Sequence, residues 1–450
     1  RNLLTDDGVI FISIDDAEQA NLKKICDEIF GEGNFVSQIV WQKKYAPQND
    51  AKYFSTSHDY ILIYARSIER FSRNLLPRSK EQLARYKNID NDPRGPWQSD
   101  NFTVATYSAS YDYPITLPSG RTINPTPGRC WRTSYENYKK LVADNRISFG
   151  LDGDNVPRIK RFLSEVQDGS VPETLWLYKD VGHNQGAATS LKNLMDGKKY
   201  FDYPKPITLI EFMAKIASSR DSLILDFFAG SATTAHAVMQ LNAEDGGNRK
   251  HIMVQLPEPT DEKSEAFKAG YKKISDIARE RINRAGEKIK ADFADKLAER
   301  ETPLDVGYRT YKLADTNFTK WQSTPTGDLT ELQARLDLMR ESSNDNASED
   351  DLLVEVLLKM GLPLTTRTKT VDVDGLHVHQ VVAEGDLSEG QPVLYLNEHA
   401  KPTLEQLRAI ITNLTPSKFV ILDDAFQGDN QLKTNLVQTC KSYDVELWTV

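Results

Sequence analysis

The stretch Asp226-Phe227-Phe228-Ala229-Gly230-Ser231-Ala232-Thr233-Thr234 carries the residue types best suited to ligand chemistry. The apolar run Leu223–Asp226 before it reads as a strand, and a helix is expected over Thr233–Leu241. A strand ending in an acid, a tight small-residue loop and a helix start form a nucleotide-cofactor arrangement. Gly230 lets a ligand approach the backbone closely. The first free N–H groups of the helix, with its dipole, suit an anion such as a carboxylate. The acid at the strand end can accept hydrogen bonds from an amine. A single glycine also serves an ordinary turn, so the loop alone leaves both readings open.

Cations and aromatics form the second set. The net charge is −9, which at first argues against nucleic acid, but its distribution matters more than the sum. Residues 61–140 hold 13 Lys/Arg against 7 Asp/Glu, a net of +6, whereas residues 321–450 hold 10 against 21, a net of −11. The basic part is a candidate phosphate-facing surface; across residues 67–200, Arg121, Arg129, Arg132, Arg158, Lys160 and Arg161 are the cations to test, and Lys43 and Lys44, after a strand, are candidates for the same DNA side. Tyr107, Tyr111, Tyr113 and Trp131 are read as packing in a small irregular domain, with base stacking as the alternative. Arg279, Arg281 and Arg284 are read as an ordinary charged helix face. Cys26, Cys130 and Cys440 lack metal or redox spacing and read as buried reduced thiols. His377 and His379 share a strand face, but no ligand set accompanies them, so no metal is expected.

The elements that must position these residues show α/β rhythm at both ends of residues 1–320. Val9–Ile14 is a nearly continuous apolar run, the pattern of a parallel strand covered on both faces. Asp16 and Gln19 have capping-box spacing before a helix with Leu22, Ile25, Cys26, Ile29 and Phe30 on one side. Val36–Trp41 and Tyr60–Tyr64 follow as strands. Residues 67–200 are rich in Pro, Gly, Asn, Tyr and Arg and lack long periodic runs, as an irregular recognition insertion would. Beyond it, Pro206 fits the first turn of a helix with Ile207, Ile210, Ala214 and Ala217 on its apolar side. His251–Leu256 reads as a strand, Ser264–Ile289 as one long helix and Gly307–Leu313 as a last strand. Thr324-Pro325-Thr326-Gly327 signals a linker and Glu341–Asp351 a polar loop. The remainder alternates helix (Leu352–Met360, Thr403–Asn413, Asn430–Ser442) and strand (Val371–Val382, Phe419–Leu422), a small α/β module. No run approaches the roughly 18 apolar residues of a membrane span.

The string Asp226–Thr234 resembles the cofactor motif of the permuted, β-type amino-methyltransferases. The likeness extends to Gly8–Asp16, His58–Tyr64, Trp131-Arg132, Gly182-His183-Asn184-Gln185, Phe201–Pro206, Gly361–Thr366 and Leu422–Phe426, which together are similar to the type III restriction-modification Mod subunits. The resemblance implies a Rossmann-like S-adenosylmethionine-dependent methyltransferase fold in permuted order: residues 1–66 as the remainder of the catalytic half, 67–200 as an inserted target-recognition domain, 201–320 as the cofactor half, and 321–450 as an acidic α/β assembly module. It implies methyl transfer from S-adenosylmethionine to adenine N6 in a short asymmetric site of double-stranded DNA, the base being flipped out. Asp226, Phe228, Gly230 and Ser231 would hold the methionine part, with Lys205 and Pro206 near the same pocket. Gln255 stands where an acid usually takes the ribose hydroxyls, and Glu258 is its substitute candidate. A cytoplasmic homodimer that can join a helicase-nuclease restriction subunit is expected. Ala232 replaces a glycine of many relatives, a change that costs about 1 kcal/mol if the position needs positive φ.

The family's catalytic string, of the Asp-Pro-Pro-Tyr type, stands before the strand Val9–Ile14, and this chain has no Pro-Pro dipeptide. Asn91-Asp92-Pro93 is the nearest look-alike and reads as a loop. The chain starts at Arg1 rather than Met, so the catalytic residues are expected upstream of it and none within it; residues 1–450 alone are expected not to methylate. The alternative is a non-catalytic DNA-recognition and assembly subunit, which a degenerate upstream string would indicate. A dehydrogenase is disfavoured because the loop lacks Gly-x-Gly-x-x-Gly.

Overall fold

Alternating strand-formers and short turns build the first sheet of this computed structural model, which describes residues 1–318, 347–382 and 390–450. Strands β1 (Val9–Ile14), β2 (Phe35–Gln42) and β3 (His58–Ala65) follow one another around helix α1 (Gln19–Phe30). The sheet order is β1-β3-β2, with β1 antiparallel to β3 and β3 antiparallel to β2. The expectation of a parallel strand covered on both faces is thus corrected: β1 lies at the sheet edge and all six of its residues are half-buried. A continuous apolar run reports burial but carries no information on strand direction. The capping box expected at Asp16 and Gln19 is also absent. Helix α1 starts at Gln19 with Glu18 as an N-cap that makes no side-chain hydrogen bond, and the Gln19 amide instead donates to Gln38 Oε1 on β2. Cys26 and Phe30 are buried with Leu62 and Tyr64, whereas Ile25 and Ile29 are exposed.

Residues 102–159 have a small core of their own. Strands β4 (Trp97–Asn101) and β5 (Arg158–Phe162) pair antiparallel, and Ile147–Ser148 adds to β5. Helix α2 (Tyr135–Ala143), capped by Ser134, packs Tyr138 against Phe102, Trp131, Ile115 and Ile147. The chain then rejoins the first sheet: strand β6 (Leu175–Trp176) runs parallel to the end of β2.

The elements that position the candidate site come next: helices α3 (Asn184–Leu194) and α4 (Ile207–Ala217), strand β7 (Leu223–Asp226), helix α5 (Thr233–Asp245), strand β8 (Lys250–Met253) and helix α6 (Ile274–Asp292). Strands β7 and β8 form a parallel pair in register Leu223↔Lys250 through Asp226↔Met253. Pro206 is the N-cap of α4 rather than a first-turn residue, and the helix buries Leu209, Glu211, Met213, Ala214 and Ile216. The single helix expected over Ser264–Ile289 is two, Glu265–Lys268 and α6. Gly270, at φ 98°, ends the first, and Asp276 Oδ2 accepts the Lys272 and Lys273 N–H groups to start the second. Among the described residues of this first unit, Arg1–Gly307, no helix is long and apolar enough to cross a membrane.

The second unit, Tyr308–Val450, has its own layered core. Its five strands are β9 (Arg367–Val373), β10 (Leu376–Val382), β11 (Val393–Tyr395), β12 (Lys418–Ile421) and β13 (Glu446–Thr449), in that order across one sheet. The first three are antiparallel neighbours and the last three parallel. Helices α7 (Glu349–Lys359), α8 (Leu404–Leu414) and α9 (Asn430–Ser442) supply Val356, Leu407, Ile410 and Leu436 to the core. The strand expected over Val371–Val382 is a hairpin turning at Asp374, φ 50°, and Gly375. The strand expected over Gly307–Leu313 does not form. The polar loop expected over Glu341–Asp351 is corrected at its end: Ser348 caps α7 and Glu349, Asp350 and Asp351 form its first turn, where acids suit the positive helix end; residues 341–346 and the Thr324–Gly327 linker signal lie outside the described residues.

Candidate functional site

The loop between β7 and α5 closes on itself through Asp226. Its Oδ1 accepts the Phe228 N–H at 3.0 Å and its Oδ2 the Thr234 hydroxyl at 2.6 Å. One carboxylate therefore shapes both the turn and the first helical residues. Gly230 sits at φ 51°, and a side chain there would approach Phe201 to 3.3 Å. Its N–H donates to Gln255 Oε1 at 2.7 Å, while the Ala229 N–H reaches the Val254 carbonyl beyond β8. Gln255 thus ties the loop to the next strand. Glu258 is exposed, and its carbonyl accepts the Ile274 N–H at 3.0 Å. Phe228 projects outward, 80% exposed, beside Phe227.

Ala232 has φ 59° and ψ 44°, the left-handed region, so alanine carries the cost that glycine would avoid. It is the N-cap of α5, and no side chain caps the first-turn N–H groups. An uncapped helix start at the end of a parallel strand favours negative charge. Beneath the loop lies a polar core. Ser231, Thr233, Thr234 and His236 are all buried. The Arg281 guanidinium, 2% exposed, reaches them from α6; it donates to Ser231 Oγ at 2.9 Å and Thr233 Oγ1 at 2.7 Å. The charged-face reading of Arg279, Arg281 and Arg284 is therefore corrected for Arg281. It points inward, while Arg279 pairs with Asp276 and Arg284 with Glu280 and Asp196. Burial lowers the Arg281 pKa to about 10, leaving it charged near neutrality. Burial, helped by Arg281 and Lys288, lowers that of His236 to about 3.

A second cluster joins residues far apart in sequence. Asp59, buried at the start of β3, accepts from Lys43 Nζ at 2.5 Å and lies 3.8 Å from Lys205 Nζ. Lys205 also lies over the Trp41 ring, and the Trp41 Nε1 donates to the Gly182 carbonyl at 3.0 Å. Gly182, at φ 80°, has no room for a side chain beside Pro206. The Phe201–Pro206 segment thus touches Gly230 at one end and the β2 and β3 termini at the other. Burial pushes the Lys205 ammonium pKa down, partly offset by Asp59. A cavity of about 940 Å³ opens beside His236, in the first turn of α5, and is lined also by Tyr45, His183, Ser190, Asn193 and Lys288 among others.

The candidate phosphate-facing cations fare differently from the loop. Arg121 pairs with Asp154 at 2.9 Å. Arg132 and Arg161 share Asp100, at 2.9 and 2.7 Å, and the Arg132 guanidinium chiefly holds the Asp100 carboxyl down to about 2. Arg129 donates to the Thr103 carbonyl and its Nε is buried without a partner. Lys44 donates to Gln48 Oε1, and Arg158 is exposed on β5. Lys160 is the exception: 3% exposed, it is held by Asp90 and, at 3.9 Å, by Asp92. Its alternation with Arg161 on β5 sends it inward, so it belongs to the module's interior and not to a surface. Asp92, the look-alike residue, is buried too; Arg94 binds it bidentately and holds its carboxyl well below the usual range. Trp131 is 1% exposed and Tyr113 packs beside it, whereas Tyr107 is exposed. The three cysteines are buried and free. Among the described residues no group of three His, Cys, Asp or Glu side chains is placed to hold a metal.

Sequence reasoning missed Arg281, Thr234, Asp59 and Phe201. Arg281 had a readable signal, because it lies three residues after Ala278 and four before Ala285 on the apolar stripe of its helix. Asp59 and Phe201 had none, since their partners are distant in sequence.

The family model described as DNA methylase matches residues 1–256. The Mod subunit of the type III restriction-modification enzyme StyLTI from Salmonella typhimurium is 40% identical over 70% of this chain, which spans 46% of that protein's length. The EcoPI Mod subunit of Escherichia phage P1 is 29% identical over 98% of this chain and 69% of its own. The type II methyltransferase M.KpnI of Klebsiella pneumoniae is 30% identical over 66% of this chain and 74% of its own. The chain spans less than half of the StyLTI subunit, and residues 1–256, which the family model matches, hold β1 to β3, β4 to β6 and the loop after β7. With that loop built as the geometry above describes, the chain belongs to the DNA methylase family.

Proposed function

We propose that the chain is the cofactor-binding, DNA-recognising and assembly part of a type III Mod subunit that methylates adenine N6 in double-stranded DNA. The observation that carries this reading is the β7–loop–α5 arrangement in a chain of the DNA methylase family. Its residues fit the amino-acid end of S-adenosylmethionine. The uncapped start of α5 offers N–H groups to a carboxylate. Asp226, at the strand end, presents oxygens with lone pairs to spare for an ammonium. Gly230 leaves the backbone open to close approach, and Ser231 anchors the turn. Phe228 offers an exposed ring, and Lys205 with Pro206 borders the same region. Gln255 commits its oxygen to the loop, which leaves its amide nitrogen for a ribose hydroxyl, with exposed Glu258 as the acceptor. When bound, the cofactor supplies an electrophilic methyl group.

Residues 67–200 act as the target-recognition domain, with exposed Arg121, Arg132, Arg158 and Arg161 facing phosphates and Lys43 and Lys44 beside them. The flipped adenine is held by residues of the family's Asp-Pro-Pro-Tyr string. The acidic segment 321–450 serves assembly, as a homodimer or with a restriction subunit, in the cytoplasm; the Mod relatives support this context. The test is to sequence modified bases in DNA from cells producing the full-length protein. N6-methyladenine in one short asymmetric context is expected. N4-methylcytosine, or no modified base, would overturn the reading.

A further inference from the structure

Arg281 is an unusual buried cation. It is 2% exposed, and among the described residues no carboxylate lies within ion-pair distance of it. Its Nη1 donates to the Ser231 and Thr233 hydroxyls, and its Nε is buried without a partner. Arg249, buried in the same half of the unit, shows the ordinary arrangement: two bonds to Asp245 and further bonds to Asn242 and Ser218. Removing a guanidinium from water without a counter-charge costs several kcal/mol in effective terms. Two hydroxyls return only part of that, since they bring dipoles and no charge.

The surroundings share the sign of Arg281. Helix α5 turns its positive end toward Ser231–Thr233, and no side chain caps its first-turn N–H groups. His236, one turn further, stays neutral because burial and the neighbouring cations disfavour its charged form. The carboxylate of Asp226 is turned to the Phe228 N–H and the Thr234 hydroxyl. Positive potential therefore converges on the loop from two independent sources, a helix end and a fixed guanidinium.

We propose that Arg281 is a positioning residue of the cofactor site: it fixes Ser231 and Thr233 and supplies, from behind the loop, the positive field that a ligand carboxylate takes up at the start of α5. This rests on the reading of the loop as the site for S-adenosylmethionine. A merely structural Arg281 would affect every ligand of the loop alike. An electrostatic one discriminates between ligands with and without a carboxylate.

The test is calorimetric binding of S-adenosylhomocysteine and of its decarboxylated analogue, which keeps the amine, to the full-length protein and its Arg281→Met and Arg281→Lys variants. Thermal melts report whether each variant folds. The methionine variant is expected to bind S-adenosylhomocysteine roughly 10- to 100-fold more weakly, the scale of a unit charge acting across the loop without touching the ligand. The decarboxylated analogue should change by less than about twofold, within the scatter of a lost neutral contact. The lysine variant keeps the charge and should preserve most of that discrimination; if the methionine variant does not fold, it carries the test through its affinity ratio for the two ligands. Equal weakening of both ligands, or unchanged affinity for S-adenosylhomocysteine, overturns the proposal. If the unsubstituted protein binds S-adenosylhomocysteine no better than the decarboxylated analogue, the proposal for Arg281 falls while the cofactor reading stands; if it binds neither, both fall.

Discussion

Two buried cations, Lys160 on β5 and Arg281 beneath the loop after β7, have opposite company. Lys160 is held by Asp90 and Asp92 and covered by the Trp97 ring. Among the described residues, the Arg281 hydrogen bonds go to hydroxyls and a carbonyl. A cation that brings its own carboxylates is part of the scaffold. A cation without them leaves its field available to something else. Both were readable as candidate surface charges, and burial alone does not separate them; their partners do.

That contrast can be broken most sharply at Lys160. Replacing it by methionine strips a buried pair of one member and is expected to cost about 3–5 kcal/mol, read by urea unfolding. The salt dependence of DNA binding should not move. A stable variant with weakened DNA binding would instead return Lys160 to the phosphate-facing set.

Glu211 extends the comparison to a buried carboxyl group. Its Oε1 has no partner, and burial, with Glu244 nearby, raises its pKa to about 7. The folded chain therefore holds this proton more tightly than the unfolded chain. Its contribution to stability is complete below about pH 4.5 and is lost as pH rises through about 7. At about 1.4 kcal/mol per tenfold change in proton affinity, roughly 3–4 kcal/mol is at stake. Glu211→Gln should flatten the fall in melting temperature between pH 5 and pH 8, in that order of size; an undiminished fall would assign it to another group.

The exposed pair on Asp100 tests the other side. If Arg132 and Arg161 meet phosphates, the double alanine variant should bind DNA about tenfold more weakly and lower the slope of log affinity against log salt by about 2. An unchanged slope would make them partners of Asp100 alone. The smallest effect is expected at Ala232. Glycine would relieve about 1 kcal/mol of left-handed strain but lose a fully buried methyl worth about 0.8 kcal/mol. Ala232→Gly should leave the melting temperature within about 2 °C, and a larger shift would show that one term dominates.

How much was legible in the sequence follows from the same contrast. The loop is one contiguous stretch, so residue order alone exposed Asp226, Gly230 and the helix start. Helix α9 and the strands around the loop were readable from periodicity. Direction was not: β1 pairs antiparallel with β3, and its apolar run would look the same in either sense. The break before α6 was missed because the turn at Gly270 and the Asp276 cap sit inside an otherwise helical pattern. The joining of Lys43 and Lys205 on Asp59 depends on tertiary pairing across more than a hundred residues. Of the candidate DNA contacts, Arg121, Arg132, Arg158 and Arg161 are exposed, but which of them reads a base is a matter of partner geometry that residue type does not encode.

The backbone at Ala232 has a genetic consequence. Alanine and glycine codons differ by a single base, and the strain and packing terms at this position nearly cancel. Drift between the two is therefore almost free of selection on folding. What a lineage must keep here is a dihedral angle, and a search written in angles would find loops of this kind that a search written in letters passes over.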